Sequence, residues 1–406
     1  MNIRKACAAL SLCLTGLVYG NARAEEGKWE LAGQASVEAR YFPDAPAFPG
    51  QKTMTVSPSA TLGPELVYEW EGGNDRFNFS PFARLDANDK QRTHSDLREL
   101  NWLHLGSGWD FTAGLGKVFW GVTESVHLVD IINQTDAVED ISGEDKLGQP
   151  MLNLNLEQTW GTVNLFLLPG FRPRTFTADN ARLHGSLPID TGNPGYQSSQ
   201  GSRHIDWATR WSKSFDNLDV AISHFQGTSR EAQLVFTSRG GQTVLTPFYN
   251  QIEQTGLELQ LTTDNTLWKA EAMTRTGQGK RFFSTVAGFE HTLYGVGGSI
   301  ADVGLLAEYL YDGRDPRFAP PTLADHDIFA GFRIAMNDTQ DTTMLLGGTW
   351  DHKTNAKLIN LEADRRLTDY LKLEMKGHFF VDIPNADPIS AIRNDSFLEL
   401  KLNRFF

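Results

Sequence analysis

Between Trp120 and Pro150 the chain reads "WGVTESVHLVDIINQTDAVEDISGEDKLGQP", and five of its side chains could do chemistry: Asp130, Asn133, Asp136, Glu139 and Asp140. Carboxylates and carboxamides are hard oxygen donors that draw cations. The same groups also accept backbone N–H bonds in tight turns. Asp130, Asn133 and Asp136 recur at i, i+3 and i+6, which places them on one face of a short helix or lets them cap successive turns. Glu144 and Asp145 extend the acidic run against a single Lys146. Elsewhere the titratable residues are scattered. His204, His224, His291 and His378 stand singly, and "AISHFQG" around His224 has no Ser two residues on. Asp325-His326-Asp327 and Asp351-His352 supply two or three ligand types without a defined fourth. There is no phosphate-cradling glycine loop and no nucleophile elbow. The expectation is a protein that is not an enzyme, with no cofactor and no metal.

The elements that must position these residues follow from a period of two. "WELAGQASVEARY" separates Trp29, Leu31, Val37 and Tyr41 from Glu30, Gln34, Glu38 and Arg40, and "YLKLEMKGHFF" separates Leu371, Leu373 and Met375 from Lys372, Glu374 and Lys376. Such runs extend well past the 5–6 residues of an average strand. Eighteen are predicted: 29–42, 53–70, 76–87, 96–106, 109–119, 150–159, 162–169, 203–213, 218–227, 251–263, 266–277, 284–296, 303–312, 326–336, 342–351, 356–366, 370–380 and 393–406. Connections after even-numbered strands are tight, and most of those after odd-numbered strands are long, with 120–149 the third long one. Short turns at one end and long loops at the other describe a closed, antiparallel, up-and-down β-barrel that crosses a membrane, of about 18 strands with 16 as the alternative. A hairpin is expected inside 228–250, turning at Arg239-Gly240-Gly241. Aromatic residues near strand ends, among them Trp29, Tyr68, Trp109, Trp160, Trp350 and Tyr370, fit interfacial girdles.

Composition agrees with that picture. Residues 1–24 have a basic start, an apolar stretch too short to span a bilayer, and Ala22-Arg23-Ala24 ahead of Glu25, the pattern of a secretory signal peptide cleaved near Ala24. Residues 25–406 then form a single barrel domain. Cys7 and Cys13 are the two cysteines of the chain, and both leave with the leader. The formal charge of the full chain is −13, and losing Arg4, Lys5 and Arg23 makes it three units more negative. That balance excludes nucleic acid as a partner. No stretch is long and apolar enough for a transmembrane helix.

An eighteen-stranded barrel is wide enough for a water-filled lumen. Arg84, Arg210, Arg333, Lys372 and Lys376 are expected on its inner wall. They serve either to hydrate a wide pore or as a basic ladder facing the acidic loop, which would sort solutes by charge. Loop 120–149 is too apolar in its first half, with Val126, Leu128, Val129, Ile131 and Ile132, to float in water. Two placements are open: folded inward as a constriction, or packed as a lid on the rim.

The last residues, "SFLELKLNRFF", alternate to a terminal Phe406. They resemble the C-terminal signature by which the assembly machinery of Gram-negative outer membranes reads its barrels; Arg404 departs from it, standing where an apolar residue is usual. A second stretch, "GKVFWGVTESVHLVDIINQTD", resembles a segment of a large family of uncharacterised proteobacterial outer-membrane barrels, with Trp120, Gly121, Asp130, Asn133 and Asp136 in the matching positions. The first resemblance implies an outer-membrane location, contact with outer-membrane lipid, and the assembly machinery as partner through the strand ending at Phe406. The second implies a conserved structural loop. Together with the pattern they imply a porin-like channel for passive diffusion of small hydrophilic solutes, with a weak preference for cations. The alternative is a substrate-specific or exporter-linked barrel for lipidic or hydrophobic cargo. A monomer and a homotrimer are both compatible with the sequence.

Overall fold

The computed structural model describes residues 27–322 and 325–406; the expected leader, residues 1–24, lies outside them. In chain order the strands are β1 (Lys28–Tyr41), β2 (Val56–Trp70), β3 (Asp75–Asp86), β4 (His94–Leu105), β5 (Trp109–Gly116), β6 (Gln149–Gln158), β7 (Gly161–Pro169), β8 (Gly195–Tyr196), β9 (Ile205–Phe215), β10 (Leu218–Thr228), β11 (Gln233–Arg239), β12 (Gln242–Tyr249), β13 (Gln251–Thr263), β14 (Thr266–Thr276), β15 (Phe282–Leu293), β16 (Asp302–Asp312), β17 (His326–Ala335), β18 (Thr343–Asp351), β19 (Lys357–Thr368), β20 (Leu371–Val381) and β21 (Phe397–Phe405). All but β8, β11 and β12 belong to one 18-stranded sheet in which each strand runs antiparallel to its sequence neighbour. β21 returns to pair with β1 from Gln34↔Phe405 to Tyr41↔Leu398, so the sheet closes on itself as an all-β barrel. β11 and β12 form the hairpin expected within 228–250, joined through Gly240 and Gly241, both at positive φ as a tight hairpin turn requires. β8 adds to it as a parallel third strand.

Alternation decides which side chains face in. On β1, Val37 and Tyr41 are exposed on the outside while Ser36, Glu38 and Arg40 are buried within. The outer face carries exposed aromatics near both rims, including Trp29, Tyr41, Trp109, Trp160, Trp350 and Tyr370. Arg404 lays its guanidinium over the Tyr370 ring, 4.8 Å from the centroid, which lets a charged residue sit in the terminal strand. No helix among the described residues is long and apolar enough to cross a membrane, which says nothing about strands.

Several strand ends differ from expectation, those of β5 and β21 for local reasons. β5 stops at Gly116 instead of running to 119. The Asn133 carboxamide takes over there, donating to the Gly116 carbonyl at 2.9 Å and accepting from the Val118 amide at 2.8 Å, so no strand neighbour is needed. β21 begins at Phe397 instead of 393, because the preceding residues make a short 3-10 turn at Ser390–Ile392 and Asp395 is held by Arg182.

The barrel closes at a crowded point. Phe406 exchanges two backbone hydrogen bonds with Gly33, at 3.0 and 3.1 Å. A Cβ on Gly33 would lie 2.7 Å from the Gly63 carbonyl oxygen and 2.8 Å from the Phe406 ring. Gly33→Val should therefore destabilise the barrel by about 1–3 kcal/mol. A urea midpoint in lipid equal to that of the unmodified protein would show that the seam has slack.

Candidate functional site

The segment between β5 and β6, residues 117–148, lies inside the cylinder. Its hydrogen bonds reach wall side chains on β1, β3, β4, β13, β14, β16, β17 and β20, strands on opposite sides of the circumference. Only a segment crossing the interior can touch all of them.

Its apolar half is held by burial. Trp120, Val129, Ile131 and Ile132 pack against Met151, Phe166, Leu168, Ala208, Phe225 and Ile252, inward-facing residues of β6 to β13. Val126 and Leu128 pack on the other side, against Val286, Leu306, Leu310 and Phe329. Each fully buried side chain of this size contributes about 1.5–3 kcal/mol relative to exposure. The inner wall is thus apolar where this segment leans on it and polar elsewhere.

Two buried wall carboxylates fix the turn between those contacts. Glu271 on β14 accepts from the Val122 amide at 2.7 Å, the Thr123 amide at 3.0 Å and the Thr123 hydroxyl at 2.7 Å, and from the Val129 amide at 3.3 Å. Glu308 on β16 accepts from the amides of Glu124 and Ser125 at 2.8 and 2.9 Å and from the Ser125 hydroxyl. Sequence reasoning passed over both. Their signal was an acid at an inward position flanked by apolar residues, in "WKAEAM" and "LLAEYL".

The acidic half meets cations of the wall. Glu139 is bound by Arg84 through three contacts of 2.6–3.0 Å, and its carbonyl accepts from Arg40 at 2.9 Å. Arg92 donates to the Val138 carbonyl at 2.9 Å. These arginines are themselves paired: Arg84 and Arg92 with Glu38 at 2.8 and 2.6 Å, Arg92 with Asp86 at 2.8 Å, and Arg40 with Glu399 at 2.7 Å. Asp140 pairs with Lys376 at 2.6 Å. Burial would raise the Asp140 pKa, but the Lys376 ammonium overrides it and holds the carboxyl far below its ordinary value. Asp136 accepts from Arg98 at 2.6 Å and from the Thr175 hydroxyl at 2.7 Å.

The remaining residues singled out in the sequence have narrower roles. No helix forms over 130–136. Asp130 accepts weakly from the Trp120 amide and pairs with Lys146 at 3.0 Å; burial raises its pKa against that lysine. Asn133 braces the two ends of the segment, since it also donates to the Leu147 carbonyl at 2.9 Å. Gly121 has no room for a side chain: a Cβ there would lie 2.8 Å from His127 and 2.9 Å from Glu271. Among the wall cations, Arg333 reaches the segment through Glu124 at 2.8 Å, whereas Arg210 pairs with Glu258 and Lys372 with Asp364 on the wall itself.

One trio places ligand-type atoms close together among the described residues: His94, Asp136 and Glu139, all within 4.8 Å. Both carboxylates already answer guanidinium groups, Arg98 and Arg84, and that positive field opposes a further cation. His224 faces outward and contacts the Thr255 hydroxyl at 3.0 Å, and the His326 and His352 rings meet edge to face.

The lumen keeps free space beside the acidic half. A cavity of about 220 Å³ runs along β1 to β4 and β20 to β21, bounded on the segment's side by Glu139, Asp140 and Asp145. Carboxylates slightly outnumber cationic side chains in its lining.

No family model matches the chain, and no curated protein matches it in sequence. Among solved structures, a BenF-like porin from Pseudomonas fluorescens Pf-5 superposes with a TM-score of 0.53 over 94% of this chain and 98% of that one, at 10% identity. At that identity the likeness is one of fold. OccD3 (OpdP) of Pseudomonas aeruginosa (0.48, 11% identity, 93% and 90% covered) and OmpT of Vibrio cholerae (0.46, 10%, 94% and 100%) fall below the level at which a superposition carries weight.

His127 sits between Glu271 at 3.7 Å and Glu144 at 3.8 Å. Burial works against its charge, but Glu271, then Glu144 and Asp130, outweigh it and raise its pKa. A raised folded value means its contribution is complete below the unfolded value and is lost as pH rises through the folded one. Hydrogen exchange at Val122, Thr123 and Val129, corrected for intrinsic rates, should open more at pH 8.5 than at pH 5.5. The difference should vanish in His127→Gln; an equal pH response in that variant would remove His127 from the account.

Proposed function

We propose that the protein is an outer-membrane channel that passes small hydrophilic solutes by diffusion, with residues 117–148 narrowing its lumen. The single observation that carries this reading is the anchored segment inside a closed barrel, with a polar cavity left along β1 to β4 and β20 to β21. An exterior that alternates to apolar residues with aromatics at both rims suits lipid. Wall and segment together line the cavity, where Arg84 and Lys376 are in direct contact with Glu139 and Asp140, at 2.6 Å each, and Asp145 stands beside them. A lining of charged and polar side chains favours small polar solutes and turns apolar ones away. The slight excess of carboxylates gives a mild preference for cations. Assembly through the strand ending at Phe406, and a monomer or a homotrimer as the working unit, belong to the same reading.

Planar-bilayer recording of the refolded protein in a salt gradient should give discrete steps and a small reversal potential of cationic sign. Deleting residues 124–145 should raise single-channel conductance several-fold, because Glu308 and Lys376 lose their partners and Glu271 keeps only Val122 and Thr123. Unchanged conductance in a folded deletion variant would put the narrowing elsewhere. Glu139→Gln should shift the reversal potential toward anions, since Arg84 keeps its charge and loses one of its two carboxylates; a shift toward cations would contradict the assignment.

A further inference from the structure

Strand pairing lapses in the middle of β2 and β3. β2 and β3 pair in one continuous register, from Ser59↔Asp86 to Leu62↔Ala83 and again from Leu66↔Phe79 to Trp70↔Asp75, with nothing paired in between. That register sets Pro64 directly opposite Pro81. Gly33, the β1 partner of Pro64, spends its amide and carbonyl on Phe406, so the backbone of Pro64 must point the other way, toward β3. Pro64 and Pro81 therefore meet at the position where two residues exchange both N–H···O bonds, and neither has an N–H. Both bonds are missing. The flanking bonded pairs stand four residues apart, about 13 Å along the strand.

Proline is ordinarily kept to edge strands or bulges. Two facing prolines inside a closed wall leave two carbonyls without ladder donors, a costly arrangement against lipid. β3 is weakened on its other side too, where its register with β4 shifts between Ser80 and Pro81. The inner face of the gap is thin. Gly63 and Ser80 are small, and a Cβ on Gly63 would meet nothing nearer than the Phe82 ring, at 3.8 Å. The outer face, with Leu62, Leu66 and Phe79, is apolar. Directly inside lies the 220 Å³ cavity, whose lining includes Gly63, Pro64, Ser80, Pro81 and Phe82.

We infer that this seam is a lateral portal, through which an amphiphile with a single hydrocarbon chain and a zwitterionic head passes between the membrane and the lumen. The tail lies between β2 and β3 against Phe82, and the head lies in the cavity. Both charge signs are on offer there. Lys117 serves the anionic part and Glu65 and Glu99 the cationic part, while Arg98, held by Asp136 at 2.6 Å, lies 4.5 Å over the Phe82 ring. The inference rests on the reading that the wall meets lipid, and it does not require that the channel conduct.

The test uses a lysophosphatidylethanolamine with a photoreactive group on its acyl chain, in phosphatidylethanolamine vesicles holding the folded full-length mature barrel. Labelling should concentrate on 62–66 and 79–83, including the inward residues Gly63 and Phe82. A Gly63→Cys/Phe82→Cys pair, placed to close the seam as a disulfide, should cut that labelling at least tenfold when oxidised and recover it on reduction. Pro64→Val/Pro81→Val, which restores both donors, should also reduce it. Conductance is recorded on the same samples. Labelling spread evenly around the outer wall, or unaffected by the disulfide, overturns the portal while leaving conduction standing. Focused, disulfide-sensitive labelling in a silent barrel keeps the portal and sinks the diffusion channel.

Discussion

Everything inside this protein depends on the pairing of β21 with β1. A sheet of eighteen antiparallel strands left open would present two edges of unpaired amides and carbonyls. Closing it removes both edges and creates the interior at the same stroke. The interior contacts inherit that dependence. Arg40 on β1 and Glu399 on β21 face each other across the closure, and Arg40 also donates to the Glu139 carbonyl. The closing strand is short of slack at Gly33, where Phe406, Gly63 and Pro64 crowd one glycine.

Within the cylinder, residues 117–148 are held by two different forces on opposite sides. Burial of Trp120, Val129, Ile131 and Ile132 is non-directional and ties the segment to the β6 to β13 wall. The acidic side is directional, with Arg84, Arg40, Arg92 and Lys376 each bonding a particular atom. Buried charge pairs contribute little net stability, because desolvation offsets most of their attraction, but removing one member leaves the other stranded. That makes the charged side a better specifier of position than a source of stability. Free space remains on the charged side and is filled on the apolar side.

The wall is not uniform either. Nearly every strand pair runs in unbroken register, whereas β2 and β3 part for three residues at facing prolines. The gap adjoins the same polar space that the segment leaves free, so a weakness in the hydrogen-bonded wall and a cavity with charges of both signs coincide.

Much of this was legible in the chain. Period-two alternation, the contrast of tight and long connections, and the alternating terminus specify a closed barrel of eighteen strands, because a strand facing lipid outside and water inside must alternate along its whole length. The apolar run Val126 to Ile132 likewise announced that loop 120–149 needs cover. What could not be read was which wall residues would receive it. Glu271 and Glu308 lie about 150 and 180 residues beyond the turn they hold, and Arg40 and Arg92 precede it, so their meeting is set by barrel closure and strand tilt. Pro64 and Pro81 were visible as letters, but that they face each other depends on register, which the turn after β2 fixes. Local periodicity determined which face each side chain would take; only the closed sheet, by joining residues far apart in sequence, decided which of them would touch.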